Sequence, residues 1–223
     1  MKIFNILLLV MMGAVFAPVV ANAQQTHDHS THTAGANTRA EETSVETPDY
    51  IKGDIIYGHV SAPVEIIEYA SMTCSHCKAF MDEITTSLKE KLIPEGKVRL
   101  IFRNFVRDQL DLAVSVASRC TSNVETSKQL IELYFDKQAA WATAHDPKGA
   151  IYAIADLKGV QAKTLDKCLQ SREIFEHVVS IAKDGDAKFQ IKSTPTVIMN
   201  GTKVVFNNYD DLKAQIQAAV AAQ

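Results

Sequence analysis

Val64-Glu65-Ile66-Ile67-Glu68-Tyr69-Ala70, followed after three residues by Cys74-Ser75-His76-Cys77, is the stretch on which the fold of this 223-residue chain turns. The first seven residues are a β-branched run too apolar on both faces for a half-exposed strand, so they predict a central one. From Cys74 the period changes. Phe80, Ile84 and Leu88 recur at helical spacing with Met81 broadening the stripe, and Pro94 and Gly96 stop it, so the pattern predicts a helix over 74–91. A second apolar run at 98–105 predicts another strand. Strand, helix and strand at this spacing make a right-handed crossover between parallel strands.

The C-x-x-C therefore falls at a strand-to-helix junction. Unpaired backbone N–H groups and the positive end of the helix dipole face the first sulfur there, which favours Cys74 as a thiolate. His76 adds positive charge or a hydrogen-bond donor, and Cys77, one turn into the helix, is the less exposed partner that closes a disulfide. A zinc site would need four ligands, and no second C-x-x-C or nearby His pair completes one. Redox chemistry is the better reading, and no metal is assigned.

Towards the other end, apolar runs at 196–199 and 203–206 flank Asn200-Gly201-Thr202, a hairpin signature. A helix from Tyr209 follows, with Leu212, Ile216 and Val220 on one face and Asn208 as its cap. Residues 108–190 contain no convincing strand but several helically spaced apolar segments, so they read as an all-helical insertion, with Tyr134 and Trp141 in its core. The fold class is α/β: a βαβ half and a ββα half separated by that insertion.

Charge and composition narrow the function. Lys plus Arg number 23 against 26 Asp plus Glu, a net of -3, with 47% hydrophobic and 7% aromatic residues and no basic run. Nucleic acid is an unexpected partner for such a chain. Residues 3–20 are apolar, lie behind Met1-Lys2 and end at Ala21-Asn22-Ala23, the pattern of a cleaved export signal over 1–23, with an uncleaved anchor as the alternative. Export to an oxidising compartment, the periplasm, lets disulfides persist. Residues 24–50 carry Asp28, Glu41, Glu42, Glu46 and Asp49 against Arg39 alone, with few large apolar side chains, and predict a disordered leader. His27, His29 and His32 within it could collect a soft metal ion, although a solvated linker is the simpler account.

The exported C-x-x-C, the Glu68-Tyr69-Ala70-Ser71 strand end, the helical insertion and Ser193-Thr194-Pro195-Thr196 together resemble the DsbA family of thioredoxin-fold thiol:disulfide oxidoreductases. The likeness covers 54–223. It implies that Pro195 is cis beside the dithiol, that the backbone of its neighbour Thr194 pairs a substrate strand, and that Glu68 is a buried carboxylate exchanging a proton with Cys77. Glu65 is its surface counterpart, on the opposite face of the strand. Two positions depart from the family: Ser75 replaces the Pro of its C-P-H-C form, and Thr194 stands where the best-known oxidases have Val.

Cys120 and Cys168 lie in the insertion without a second redox motif. They read as a structural disulfide or as two buried thiols, and related exported proteins with a second pair support the former. The resemblance implies a disulfide oxidase without an organic cofactor, acting on reduced or unfolded exported proteins and reoxidised by a membrane-bound DsbB-like partner. The alternatives are an isomerase or reductase of the same superfamily, or a metal-handling protein. Dedicated isomerases oligomerise through an N-terminal domain, and residues 24–50 have neither heptads nor a strand pattern for one, so a monomer is expected.

Overall fold

The structure, a computed structural model, describes residues 47–223. The expected signal at 1–23 and most of the 24–50 leader, including His27, His29 and His32, lie outside those residues. A strand that is apolar on both faces requires a layer on each side, and the domain is built around one. This strand, β2 (Val64–Ala70), runs parallel to β3 (Val98–Asn104). On its other edge it pairs antiparallel with β4 (Thr196–Met199), which continues into β5 (Thr202–Lys203). A short strand, β1 (Ile55–Tyr57), lies antiparallel on the far side of β3.

The strand period of two sorts the side chains of β2. Val64, Ile66 and Ala70 enter the main core with Cys74 and Cys77, whereas Ile67 and Tyr69 face a smaller core with Ile101 and Ile198. Glu68 shares the face of Ile66 and Ala70, paired in register between Phe102 and Val197. Glu65, on the other face, is a partly exposed partner of Arg99 at 2.8 Å.

Three local expectations are corrected. The helix expected over 74–91 is α1 (Ser75–Phe80), a π-helical turn (Met81–Thr85) and α2 (Thr86–Glu90), with Cys74 outside as the N-cap. The wider turn lets Phe80, Met81, Ile84 and Leu88 all reach the core, and Thr86 Oγ1 donates to the Met81 carbonyl at 3.2 Å. The strand expected at 203–206 ends at Lys203. The turn is made by Asn200 and Gly201, both at positive φ, after which Val205 is 84% exposed and Phe206 turns away to stack near Tyr209 at 6.0 Å. The strand expected over 98–105 stops at Asn104, although the Phe105 N–H still donates to the Ala70 carbonyl at 2.7 Å. Strand β1 was not expected at all, being too short to show alternation.

The insertion over 108–190 is helical. It comprises α3 (Gln109–Arg119), α4 (Val124–Asp136), α5 (Gln138–Ala142), α6 (Pro147–Asp156), α7 (Ala162–Gln170) and α8 (Arg172–Phe189). Tyr134 and Trp141 are fully buried within it, and the Trp141 indole N–H donates to the Tyr134 carbonyl at 2.7 Å. α8 covers the second face of the sheet. A Cβ on Gly185 would overlap the Tyr69 ring, so only glycine permits this approach. No helix among the described residues is long and apolar enough to cross a membrane.

A buried cation ties the insertion to the sheet. Arg119, fully buried, donates to Asn104 Oδ1 at 2.7 Å and to the carbonyls of Ile51 and Gly53 at 3.0 Å. Burial lowers its pKa to about 10, so it remains charged at neutral pH. The next residue, Cys120, is disulfide-bonded to Cys168 of α7 across 48 residues. A loop of that length contributes on the order of 4 kcal/mol in the chain-entropy account. Replacing both cysteines by Ser is expected to lower the unfolding free energy by about 2–4 kcal/mol in equilibrium denaturation. The titration of Cys74 should stay unmoved, since distant sites act additively.

Candidate active site

The end of β2 delivers Ser71, Met72 and Thr73 to the start of α1, where Cys74 is the N-cap with extended backbone. Ser75 and His76 are exposed in the first turn, while Cys77, one turn in, is fully buried. Both cysteines are free thiols in this structure. The loop before β4 closes over them. Its Thr194-Pro195 bond is cis, and the Cys74 thiol donates to the Thr194 carbonyl at 3.3 Å. At the other side, the Tyr209 hydroxyl donates to the His76 carbonyl at 2.7 Å, fixing the start of α9 (Tyr209–Ala221) to the dithiol loop.

The two sulfurs are driven in opposite directions. A hydrogen bond from the Cys77 thiol does most to favour the Cys74 thiolate, and the contact with Thr194 and the backbone N–H groups of Cys77 and His76 add to it. Burial opposes them, and the balance still lowers Cys74 to about 4. Cys77 is pushed far up, first by burial and then by its hydrogen bond to Cys74. At neutral pH the pair is one thiolate and one thiol.

Two buried acids flank this pair, and only one was expected. Glu68 is fully buried, and neither carboxylate oxygen has a hydrogen-bond partner among the described residues. Burial raises its pKa well above the carboxylate range, and the charge on Cys74 adds to the shift. Its surroundings therefore favour the neutral acid over the carboxylate. Asp111, in the first turn of α3, is equally buried but accepts from the Met72 N–H at 2.8 Å and the Arg107 N–H at 3.0 Å. The amide of Gln138 on α5 donates to the carbonyls of Met72 at 2.8 Å and Cys74 at 3.1 Å. The Met72 peptide is thus held at both ends by the insertion. Asp108, the cap of α3, followed by Asp111 at its third position is a readable helix-start signal. Gln138 carries no such signal, because its partners lie 64 and 66 residues away.

The structure brings together Cys74, Ser75, His76, Cys77, Glu68, Thr194 and Pro195. It places the Cys120–Cys168 disulfide apart from them, within the helical insertion.

A dithiol at the start of a helix that follows the central strand, faced by a cis-proline loop, defines a thioredoxin-fold protein. The family model described as thioredoxin matches residues 51–218. Disulfide bond formation protein D of Bacillus subtilis is 28% identical over 177 residues, spanning 75% of this chain and 77% of that protein. A Rickettsia bellii relative, named among the protein-disulfide oxidoreductases, is 24% identical over 169 residues, or 76% of this chain. The match spans 65% of that relative's own length. Among solved structures, Wolbachia pipientis alpha-DsbA1 superposes with a TM-score of 0.69 at 24% identity, over 81% of this chain and 97% of that one. Oxidised Bacillus subtilis BdbD does so at 0.67 and 24%, over 78% and 97%. The chain belongs to the thioredoxin family, as a DsbA-like member.

In the reduced protein, the ultraviolet absorbance of the thiolate is expected to titrate in one step centred near pH 4, and to vanish in Cys74→Ala. The folded value lies below the ordinary 9.0, so the stability contributed by ionised Cys74 is complete above about 9 and lost as pH falls through about 4. Reduced protein should therefore lose resistance to denaturant as pH falls from neutral towards 4, a loss that is smaller in Cys74→Ala. Asp111→Ala leaves two backbone N–H groups without an acceptor, and urea unfolding should show a loss of about 2–4 kcal/mol.

Proposed function

We propose that this chain is a thiol:disulfide oxidoreductase that donates the Cys74–Cys77 disulfide to cysteine pairs of exported polypeptides. The observation carrying this reading is the asymmetry of the pair: a Cys74 thiolate held by hydrogen bonds against burial, and a Cys77 thiol sealed beneath it. In the oxidised protein a substrate thiolate entering the cleft that Cys74 lines attacks its sulfur. The Cys74–Cys77 bond breaks, and its electron pair leaves on Cys77, which takes a proton. Protonated Glu68 is the nearby group placed to supply that proton and to recover it later. A second substrate thiolate then attacks the substrate sulfur of the mixed disulfide, and Cys74 departs as a stable thiolate. Two electrons have passed from substrate to protein.

Each pKa unit removed from Cys74 stabilises the reduced protein by about 1.4 kcal/mol, or about 30 mV for a two-electron couple. A value near 4 therefore supports a strongly oxidising protein. Ionisation of Cys74 also removes the thiol donor from the Thr194 carbonyl. That oxygen is then available to accept from a substrate strand, the role the family resemblance gives it. Ser75 occupies the exposed position between the cysteines and sets how freely substrate approaches. His76, also exposed, favours the thiolate through its backbone N–H. No organic cofactor enters this scheme, and a membrane-bound DsbB-like oxidase would restore the disulfide.

Location in the periplasm is supported by the apolar stretch at 3–20 and its Ala21-Asn22-Ala23 site. Thr194 favours a second reading, a disulfide isomerase, because isomerase-like relatives often have Thr there. Cys77→Ser is expected to accumulate stable mixed disulfides through Cys74, and Cys74→Ser to lose exchange altogether, both read by mass spectrometry. Rapid oxidation of a reduced substrate with slow unscrambling, by a protein that sediments as a monomer, supports the oxidase. Efficient unscrambling by an oligomer would replace it with the isomerase.

A further inference from the structure

Two clefts of similar size meet at the dithiol. One, of about 450 Å³, passes over Pro195, Phe206 and Tyr209 and is edged by Glu83 and Asp210. The other, of about 440 Å³, passes over Phe105 and Val106 and is edged by Arg107 and Lys192. His76 and Thr194 line both, and Cys74 lines the second. Among the described residues, the wall of the first cleft carries no Lys or Arg and that of the second no Asp or Glu.

The neighbouring charges leave both signs standing. Lys213 lies 3.9 Å from Glu83 and 3.6 Å from Asp210, so one cation is shared between two carboxylates. Lys192 is 80% exposed and only loosely paired, at 3.9 Å, with Asp186. The chain from Lys192 to Pro195 runs from the basic cleft into the acidic, aromatic one. A polypeptide laid along that segment lies with its two halves in fields of opposite sign.

We propose that the protein selects extended polypeptide segments whose charge changes sign across the reacting cysteine. Lys or Arg with an aromatic neighbour lies over Pro195 and Tyr209, and Asp or Glu lies over Arg107 and Lys192. This rests on the reading above that Cys74 exchanges with substrate cysteines, and it adds which substrates are preferred. Aromatic side chains suit the first cleft because Phe206 and Tyr209 offer ring faces and edges, and a cation there gains both the carboxylates and the rings. Exposed ion pairs are weak and screened, so the preference is several-fold and appears chiefly in the rate of encounter.

The test uses three single-cysteine peptides reacting with oxidised protein, with mixed-disulfide formation as the readout. One carries Lys and Tyr before the cysteine and Glu after it, the second reverses that order, and the third is neutral. One charged order is expected to react about five- to tenfold faster than the other at low salt. The difference should fall below about twofold near 1 M salt, where the Debye length is about 3 Å. Combined Arg107→Glu and Lys192→Glu should erase or invert the preference. If Lys comes first in the faster peptide, the substrate runs antiparallel to the chain from Lys192 to Pro195; if last, parallel. Equal rates for the two charged orders at low salt, or a preference untouched by salt or by the charge reversal, overturn the proposal. A neutral peptide that reacts while the charged orders tie removes only the charge selection. A neutral peptide that fails to react along with both charged ones removes the exchange reading itself.

Discussion

Holding an ionised sulfur where burial opposes ionisation is the constraint on which the rest of this structure depends. Cys74 is only 6% exposed, and a thiolate in such a place persists only if donors replace the water it has lost. Those donors are the Cys77 thiol and the first backbone N–H groups of α1, and the loop before β4 brings Thr194 against the same sulfur. The first two lie within one turn of Cys74, but the approach of Thr194 cannot be positioned by local sequence. The helix must begin at Ser75 and not earlier, and the loop before β4 must pass directly over the sulfur. Strand β2 must end at Ala70 so that the three following residues can turn the chain into the helix. Its pairing on both edges fixes that end point.

Glu68 and Asp111 show how environment divides two chemically similar groups. Both are fully buried next to the β2–α1 junction. Asp111 meets two backbone N–H groups and serves as an acceptor that shapes the loop. Glu68 meets no donor, so its surroundings favour the neutral acid over the carboxylate.

The helical insertion does more than cover the sheet. Through Asp111 and Gln138 it grips both ends of the Met72 peptide, and through Arg119 it grips the chain entering β1. The Cys120–Cys168 bond fastens α3 to α7 within the insertion and leaves the sheet and the dithiol untouched. Covalent reinforcement and hydrogen-bonded positioning thus fall to different parts of the same insertion. The Met72 grip lies next to the site, where small displacements of Cys74 matter most.

What the sequence by itself determined follows from periodicity and short-range chemistry. The doubly apolar β2, the helix carrying Phe80, Ile84 and Leu88, the cap at Asn208 and the placing of Cys74 at the helix start with Cys77 buried one turn in all depend on neighbours within one or two turns. Such neighbours are visible along the chain. Glu68 and Pro195 were legible only by resemblance, since burial and a cis bond are properties of the folded chain and leave no local mark. Only the tertiary structure decided the rest. The π turn at Met81–Thr85 answers to the shape of the core, Phe206 leaves the expected strand for Tyr209, and Gln138 reaches Cys74 across 64 residues. The opposite charges of the two clefts likewise come from Glu83, Arg107, Lys192 and Asp210, which the fold gathers from distant parts of the chain. Those features are set by packing and by long-range hydrogen bonds, and neither has a period that a sequence can display.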